Sequence, residues 1–248
     1  MGRLPVIDFH THVLPRMDDG SKSSEMSLEM LRQMKSSGVD LVVATSHYYH
    51  RNESIDRFLA RREASYRHLR EKTDRTYPLV VPGAEVAFYF GIEEEPEIGK
   101  LCIGDTDVLL LEMPFAPWST YELNAVSSLC YDRRLTVVLA HYERFVEFQE
   151  ENRMLERILE LPVLVQINAE DLLPAFAGRR WVKMFEEGKA HLLGSDAHNL
   201  TNRAPNLAEG RAVLQKKLGD EALRKIDRCG AKLLMRSAAS NTAGRTDK

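Results

Sequence analysis

The chain has few cysteines, no long apolar run and no excess of positive charge. Its three cysteines, Cys102, Cys130 and Cys229, are far apart, without Cys-x-x-Cys spacing. A disulfide framework or a zinc ribbon is therefore not expected. None opens a Cys-x5-Arg loop, so a cysteine-phosphatase mechanism has no support. No stretch reaches the roughly 18 apolar residues of a membrane span, and no direct membrane insertion is expected. The first residues lead straight into a short strand-like run, without the apolar core of a signal peptide, and a cytoplasmic protein is expected. The net charge of −3 gives no basic footprint for nucleic acid.

What is present is a regular alternation. Short β-rich runs recur at Leu4–Phe9, Val39–Thr45, Leu79–Glu85, Asp107–Met113, Leu135–Ala140, Val163–Asn168 and Ala190–Gly194. Most are continuously apolar, as parallel strands covered on both faces require. Amphipathic segments separate them, at Ser24–Lys35, Ile55–Arg70, Tyr121–Arg134, Phe148–Leu161 and Arg180–Glu187. Two more, Asn206–Leu218 and Glu221–Met235, follow the last run. Their methionine and aromatic stripes read as core. Seven β-then-α units predict an α/β fold, a distorted seven-stranded (β/α) barrel. Residues 1–236 are expected to form one domain, and the small, polar stretch 237–248 a disordered tail.

Barrel enzymes build their sites at the C-terminal ends of the strands. The first run ends in His10 and His12, which extended backbone would turn to one side. Asp18 and Asp19 follow in the next loop. The other runs end in His47, Glu85, Glu112, His141 and Asn168, and the last leads into Asp196 and His198. Each alone has a bland reading, as a solvated or hydrogen-bonded side chain. Together they repeat one pattern on one face. His10, His12, Asp19, His47, Glu85, Glu112, His141, Asp196 and His198 are too many for one ion. Mixed imidazole and carboxylate donors suit zinc, iron or manganese rather than calcium. The set fits two or three ions, with Glu85 or Asp196 as a bridge. Three dications would outweigh the four carboxylates and favour an anionic substrate such as a phosphate ester. Arg144 and Arg203, in loops on the same face, could hold phosphate oxygens in bidentate forks. His68 and His191 do not fit and are expected to be structural. His50 is a candidate substrate contact.

These residues stand in motifs. Asp8-Phe9-His10-Thr11-His12, Asp18-Asp19-Gly20, Thr45-Ser46-His47, Gly83-Ala84-Glu85 and Leu111-Glu112-Met113 are followed by Ala140-His141-Tyr142-Glu143-Arg144 and Ser195-Asp196-Ala197-His198-Asn199. The sequence thereby resembles the PHP (polymerase and histidinol phosphatase) superfamily over about residues 5–235. It is most similar to the bacterial protein-tyrosine phosphatases of capsule and exopolysaccharide operons. The resemblance implies a trinuclear site, often manganese-supported, with iron or zinc as alternatives. It makes the nine residues above the ligands, with Asp19 rather than Asp18 in the aspartate role. It makes Arg144 and Arg203 the phosphoryl-holding residues, with Asp196 and His198 beside them in the catalytic set. The implied partner is the phosphotyrosine-rich tail of a bacterial tyrosine autokinase. The alternatives are a phosphatase for a small metabolite such as histidinol phosphate, and a metal-containing, non-catalytic regulatory partner. Two departures bear on specificity: Tyr48-Tyr49-His50-Arg51 after the second run, and Cys229-Gly230 where relatives often carry Asn-Pro.

Overall fold

The structure, a computed structural model, describes residues 3–149 and 153–235. The stretch 237–248, expected to be a disordered tail, lies outside the described residues.

The strands are β1 (Ile7–Thr11), β2 (Leu41–Ala44), β3 (His47–Tyr48), β4 (Leu79–Pro82), β5 (Glu85–Ala87), β6 (Val108–Glu112), β7 (Thr136–Leu139), β8 (Leu164–Asn168) and β9 (Leu192–Gly194). Every pairing among them is parallel, in the orders β1-β2-β4 and β3-β5-β6-β7-β8-β9. The second apolar run, Val39–Thr45, supplies β2, and β3 follows beyond its end after Thr45-Ser46; the third run is interrupted at Gly83-Ala84, with β4 before the break and β5 starting at its last residue, Glu85. Backbone bonds from Gly83 N to Ala44 O and from Glu85 N to Ser46 O bind the interrupted stretches together. Asp196 N donates to His10 O and His12 N to Ala197 O, which joins β1 to the segment after β9. The first strand starts and ends later than its apolar pattern suggests. Pairing of Ile7 with Leu41 and Thr11 with Ala44 carries β1 through His10.

The helices follow the amphipathic segments closely. They are α1 (Ser24–Ser36), α2 (Ile55–Arg70), α3 (Thr120–Tyr131), α4 (Met154–Ile158), α5 (Gly178–Glu186), α6 (Leu207–Leu218) and α7 (Asp220–Leu234). Serine hydroxyls set several starts. Ser23 accepts from Met26 N and Ser54 from Arg57 N, while Ser119 and Glu122 form a reciprocal capping box. The expected helix Phe148–Leu161 is a correction. A 3-10 segment, Tyr142–Phe148, comes first, and among the described residues of that stretch Met154–Ile158 is the α-helical part.

Alternation along the strands divides the core in two. Leu109, Leu111, Val137 and Leu139 pack with Met30, Leu31, Phe58 and Leu129 of the helices. Val108, Leu110, Val138 and Ala140 pack with Ile7, Phe9, Val43, Leu192 and Leu233. Gly230 lets α7 lie close against β1 and β9: a Cβ there would come 3.2 Å from Ile7 Cδ1. The Cys229-Gly230 departure therefore serves helix packing. Among the described residues no helix is long and apolar enough to cross a membrane.

The pair Arg211–Asp227 links α6 to α7 by two parallel hydrogen bonds of 2.6 and 2.9 Å, largely out of water. Asp227→Ala leaves that guanidinium unpaired and is expected to cost about 3 kcal/mol. Chemical denaturation of Asp227→Ala beside Arg211→Met/Asp227→Leu checks this. Equal destabilisation of both variants would contradict it.

Candidate metal centre

All nine predicted donors meet at the C-terminal ends of the strands. Glu85, the first residue of β5, is fully buried at their centre. Its Oε2 lies 2.8 Å from His47 Nδ1, 3.3 Å from His10 Nε2 and 3.4 Å from His12 Nε2. Its Oε1 lies 2.7 Å from His141 Nε2, which is 3.2 Å from Glu112 Oε1. Asp196 Oδ1 is 3.5 Å from His10 Nε2 and 3.4 Å from His12 Nε2. Asp19 Oδ1 is 3.5 Å from His47 Nε2 and 3.3 Å from His198 Nε2. Three overlapping donor groups result: His12, Asp19, His47 and His198; His10, His12 and Glu85; and His47, Glu85 and Glu112.

The donors fit cations. Glu85 Oε2, His47 Nδ1 and His198 Nε2 are buried and make no hydrogen bond among the described residues, although charged atoms crowd them. His10 and His12 point their Nε2 atoms at each other across 3.2 Å. Buried polar atoms that converge without hydrogen-bond geometry carry a desolvation cost that divalent ions would remove. The titration behaviour reflects the same crowding. Burial opposes charge on Glu85, but His10, His12 and His141 hold it well below the usual carboxylate range. Burial pulls His141 down, while Glu112 and Glu85 outweigh it and push the imidazole up to about 10. Burial and the nearby His12 bring His198 down to about 4.

A second layer of groups orients the donors. Asp18 Oδ2 accepts from His12 Nδ1 at 2.9 Å and from His47 N, and its Oδ1 accepts from Gly20 N. The two adjacent aspartates thus divide their work: Asp18 is spent on positioning, and Asp19 faces the cluster. Gln166 Oε1 meets His10 Nδ1 at 3.0 Å and accepts from His141 N at 2.9 Å. Gln166 Nε2 donates to Asn168 Oδ1, and Asn168 Nδ2 to Asp196 Oδ2. Asp8 Oδ1 accepts from Ser195 N. Gln166 and Asp8 went unrecognised in the sequence reading. The signal was there: each is a polar residue inside an apolar strand, two residues before a site residue. Buried Glu143 Oε1 accepts from Asn168 N; burial, with Asp171 nearby, pushes its carboxyl up to about 8.

His141 and Asp196 adopt positive φ, 27° and 52°. Such backbone costs about 1–3 kcal/mol and persists only where its surroundings enforce it. Here it turns each side chain back into the cluster just after its strand.

Arg144 and Arg203 reach the site from different loops. Their Nη2 atoms lie 2.8 and 2.7 Å from the same oxygen, Asp196 Oδ2. Each guanidinium is about one-third exposed. His50 is not in the cluster; its ring stacks on Tyr89 at 4.2 Å. His68 is exposed on α2. His191 Nδ1 accepts from Val165 N, as a structural histidine would.

The chain belongs to the family described as "Capsular polysaccharide synthesis, CpsB/CapC", whose model matches residues 6–236. Tyrosine-protein phosphatase YwqE of Bacillus subtilis (strain 168) is 32% identical over 227 residues, covering 87% of this chain and 86% of the relative. Tyrosine-protein phosphatase CpsB of Streptococcus pneumoniae is 26% identical over 237 residues, covering 89% of this chain and 94% of the relative. A crystal structure described for these two proteins, "unique metal-dependent tyrosine phosphatases", superposes with a TM-score of 0.77 at 25% identity. It covers 94% of this chain and 96% of that one.

Gly194 lets β9 approach β1. A Cβ there would lie 2.6 Å from His10 Cβ and 2.9 Å from Gln166 Nε2. Gly194→Ala should therefore displace His10 and lower Mn²⁺ affinity at least about 10-fold, the scale of losing an orienting partner. Gly99→Ala, where a Cβ meets nothing within 4 Å, is the control. Calorimetric Mn²⁺ titration of both checks this, and unchanged affinity in Gly194→Ala would contradict it.

Proposed function

We propose that the protein is a metal-dependent phosphomonoesterase that dephosphorylates phosphotyrosine on the tail of a bacterial tyrosine autokinase, in the cytoplasm, as part of capsule or exopolysaccharide control. The observation that carries this reading is the buried Glu85, ringed by four imidazoles, beside an aspartate shared by two arginines. Kinship with tyrosine-protein phosphatases supports the substrate class. A distorted seven-stranded PHP-type barrel over residues 1–236 is the proposed architecture, with β3 and β5 counted as continuations of β2 and β4.

His10, His12, Asp19, His47, Glu85, Glu112, His141, Asp196 and His198 would hold the metal, three ions with manganese the first choice. Bound dications lower the pKa of water and neutralise charge on a phosphoryl group. The remaining work falls to the chain. Gln166 and Asp18 fix the ring orientation of His10 and His12, so the donors are set before substrate arrives. His198 Nδ1 sits 2.8 Å from Asp196 O, which leaves Nε2 for the site. Arg144 and Arg203, each about one-third exposed, present guanidinium N–H groups beside the buried Asp196. There they can take phosphoryl oxygens and stabilise the charge that builds on them. A phenol of pKa near 10 leaves as its anion with little help from an acid.

The test is phosphate release from a phosphotyrosine peptide and from histidinol phosphate, by metal-stripped protein with and without Mn²⁺. A His10→Ala/His12→Ala variant is assayed alongside. The expected result is Mn²⁺-dependent release from the peptide, reduced at least about 100-fold in the variant. Preference for histidinol phosphate would move the function to small-molecule metabolism. No metal-dependent release from either substrate would defeat the reading.

A further inference from the structure

Two exposed aromatic rings border the donor cluster. Tyr49, just after β3, is 40% exposed; Phe115, three residues after β6, is 46% exposed. Each lies against a different imidazole. The Tyr49 ring stacks on His47 with centroids 5.2 Å apart and planes at 29°. The Phe115 ring stacks on His141 at 5.9 Å and 22°. Those imidazoles approach opposite oxygens of Glu85, so each ring backs one of two imidazoles that flank the carboxylate at the centre of the site.

Phe115 is also fixed from behind. Its ring packs on Phe145 at 5.3 Å and Phe148 at 6.0 Å, and Phe145 in turn meets Trp118 at 5.5 Å. Phe145 and Trp118 are buried. A large apolar surface is thus held rigid beside a highly polar centre, with one part left in water. Burying the ring fully would be the ordinary use of a phenylalanine. Tyr49 also lines a cleft of about 410 Å³ that runs from Asp19 and His47 to Arg57 and Arg61. Its phenol, raised by burial and by the facing carboxylates of Glu112 and Glu85, stays neutral.

An aryl phosphomonoester has a dianionic end and a flat apolar ring a few ångströms away. The site offers a matching pair of surfaces: Arg144, Arg203 and the donor cluster for the first, and Tyr49 and Phe115 for the second. We propose that Tyr49 and Phe115 form an aryl subsite that receives the phenyl ring of the substrate and selects aryl over alkyl phosphomonoesters. This rests on the phosphomonoesterase reading above. Stacked or edge-on aromatic pairs favour association beyond simple burial, and each ring should add about 3- to 10-fold.

The test is calorimetric binding of phenylphosphonate and methylphosphonate to Mn²⁺-loaded protein. Both share the anionic head, and their P–C bonds resist hydrolysis, so turnover is not required. The unmodified protein should bind phenylphosphonate at least about 10-fold more tightly. Phe115→Leu and Tyr49→Leu should each reduce that preference about 3- to 10-fold, with methylphosphonate and Mn²⁺ affinities held within about twofold. Phe115→Tyr, which keeps a ring, should retain the preference. Unchanged preference in both leucine variants would overturn the proposal. So would equal weakening of both ligands, because the rings would then only support the imidazoles. Intact ring selectivity without phosphotyrosine hydrolysis would sustain the subsite and defeat the catalytic reading.

Discussion

The constraint on which the structure turns is the burial of Glu85. Its carboxylate is withdrawn from water, approached by His10, His12, His47 and His141, and lacks hydrogen-bond geometry at Oε2. An anion in such surroundings is stable only beside positive charge. Protonated imidazoles can supply it, and so can dications, which the same nitrogens would then bind in their neutral form. The set of imidazoles and carboxylates is the kind that binds zinc, iron or manganese. Much of the surrounding polar architecture keeps those donors aimed at one another.

The scaffold meets that demand by bringing separate strands within close reach. Parallel pairing puts the C-terminal ends of all the strands on one side, so residues 186 apart in the chain, His10 and Asp196, become neighbours. Interruptions at Thr45-Ser46 and Gly83-Ala84 precede His47 and Glu85, and positive φ at His141 and Asp196 turns two more side chains inward. Small residues are needed where the backbones crowd. Gly20 lies against His12, and a Cβ there would come 2.4 Å from His12 Cβ. Second-layer carboxylates and amides then hold the donors in place, with Asp18, Gln166 and Asn168 in that role.

Most of the side chains that cluster at the strand ends were legible in the sequence because their placement follows from periodicity. Once apolar runs are read as parallel strands, the polar residue closing each run falls on one face. His10, His47, Glu85, Glu112 and His141 all emerge that way. The limits of α1, α2, α6 and α7 were also close, since the serine caps of α1 and α2 and the apolar stripes of all four act locally. What escaped depended on tertiary contact. Gln166 and Asp8 look like intrusions in a strand until the groups they accept from are known. The 3-10 segment Tyr142–Phe148, which precedes the expected helix Phe148–Leu161, has no amphipathic signature of its own and buries Tyr142, Glu143 and Phe145 beside His141. The apolar run ending at Thr45 gave no sign of the short strand β3 beyond it, and the split of β4 from β5 left no mark in hydrophobicity. It depends on which neighbour each half pairs with.

Crystals of the protein grown with manganese, with anomalous scattering recorded at the manganese edge, put the metal centre to the most direct test. More than one anomalous peak should fall within about 2.0–2.6 Å of Glu85, His12 and Asp196 donor atoms, in the range of metal–nitrogen and metal–oxygen bonds. Absence of any peak among these residues, at full manganese saturation, would contradict the account and leave Glu85 balanced by imidazolium protons alone.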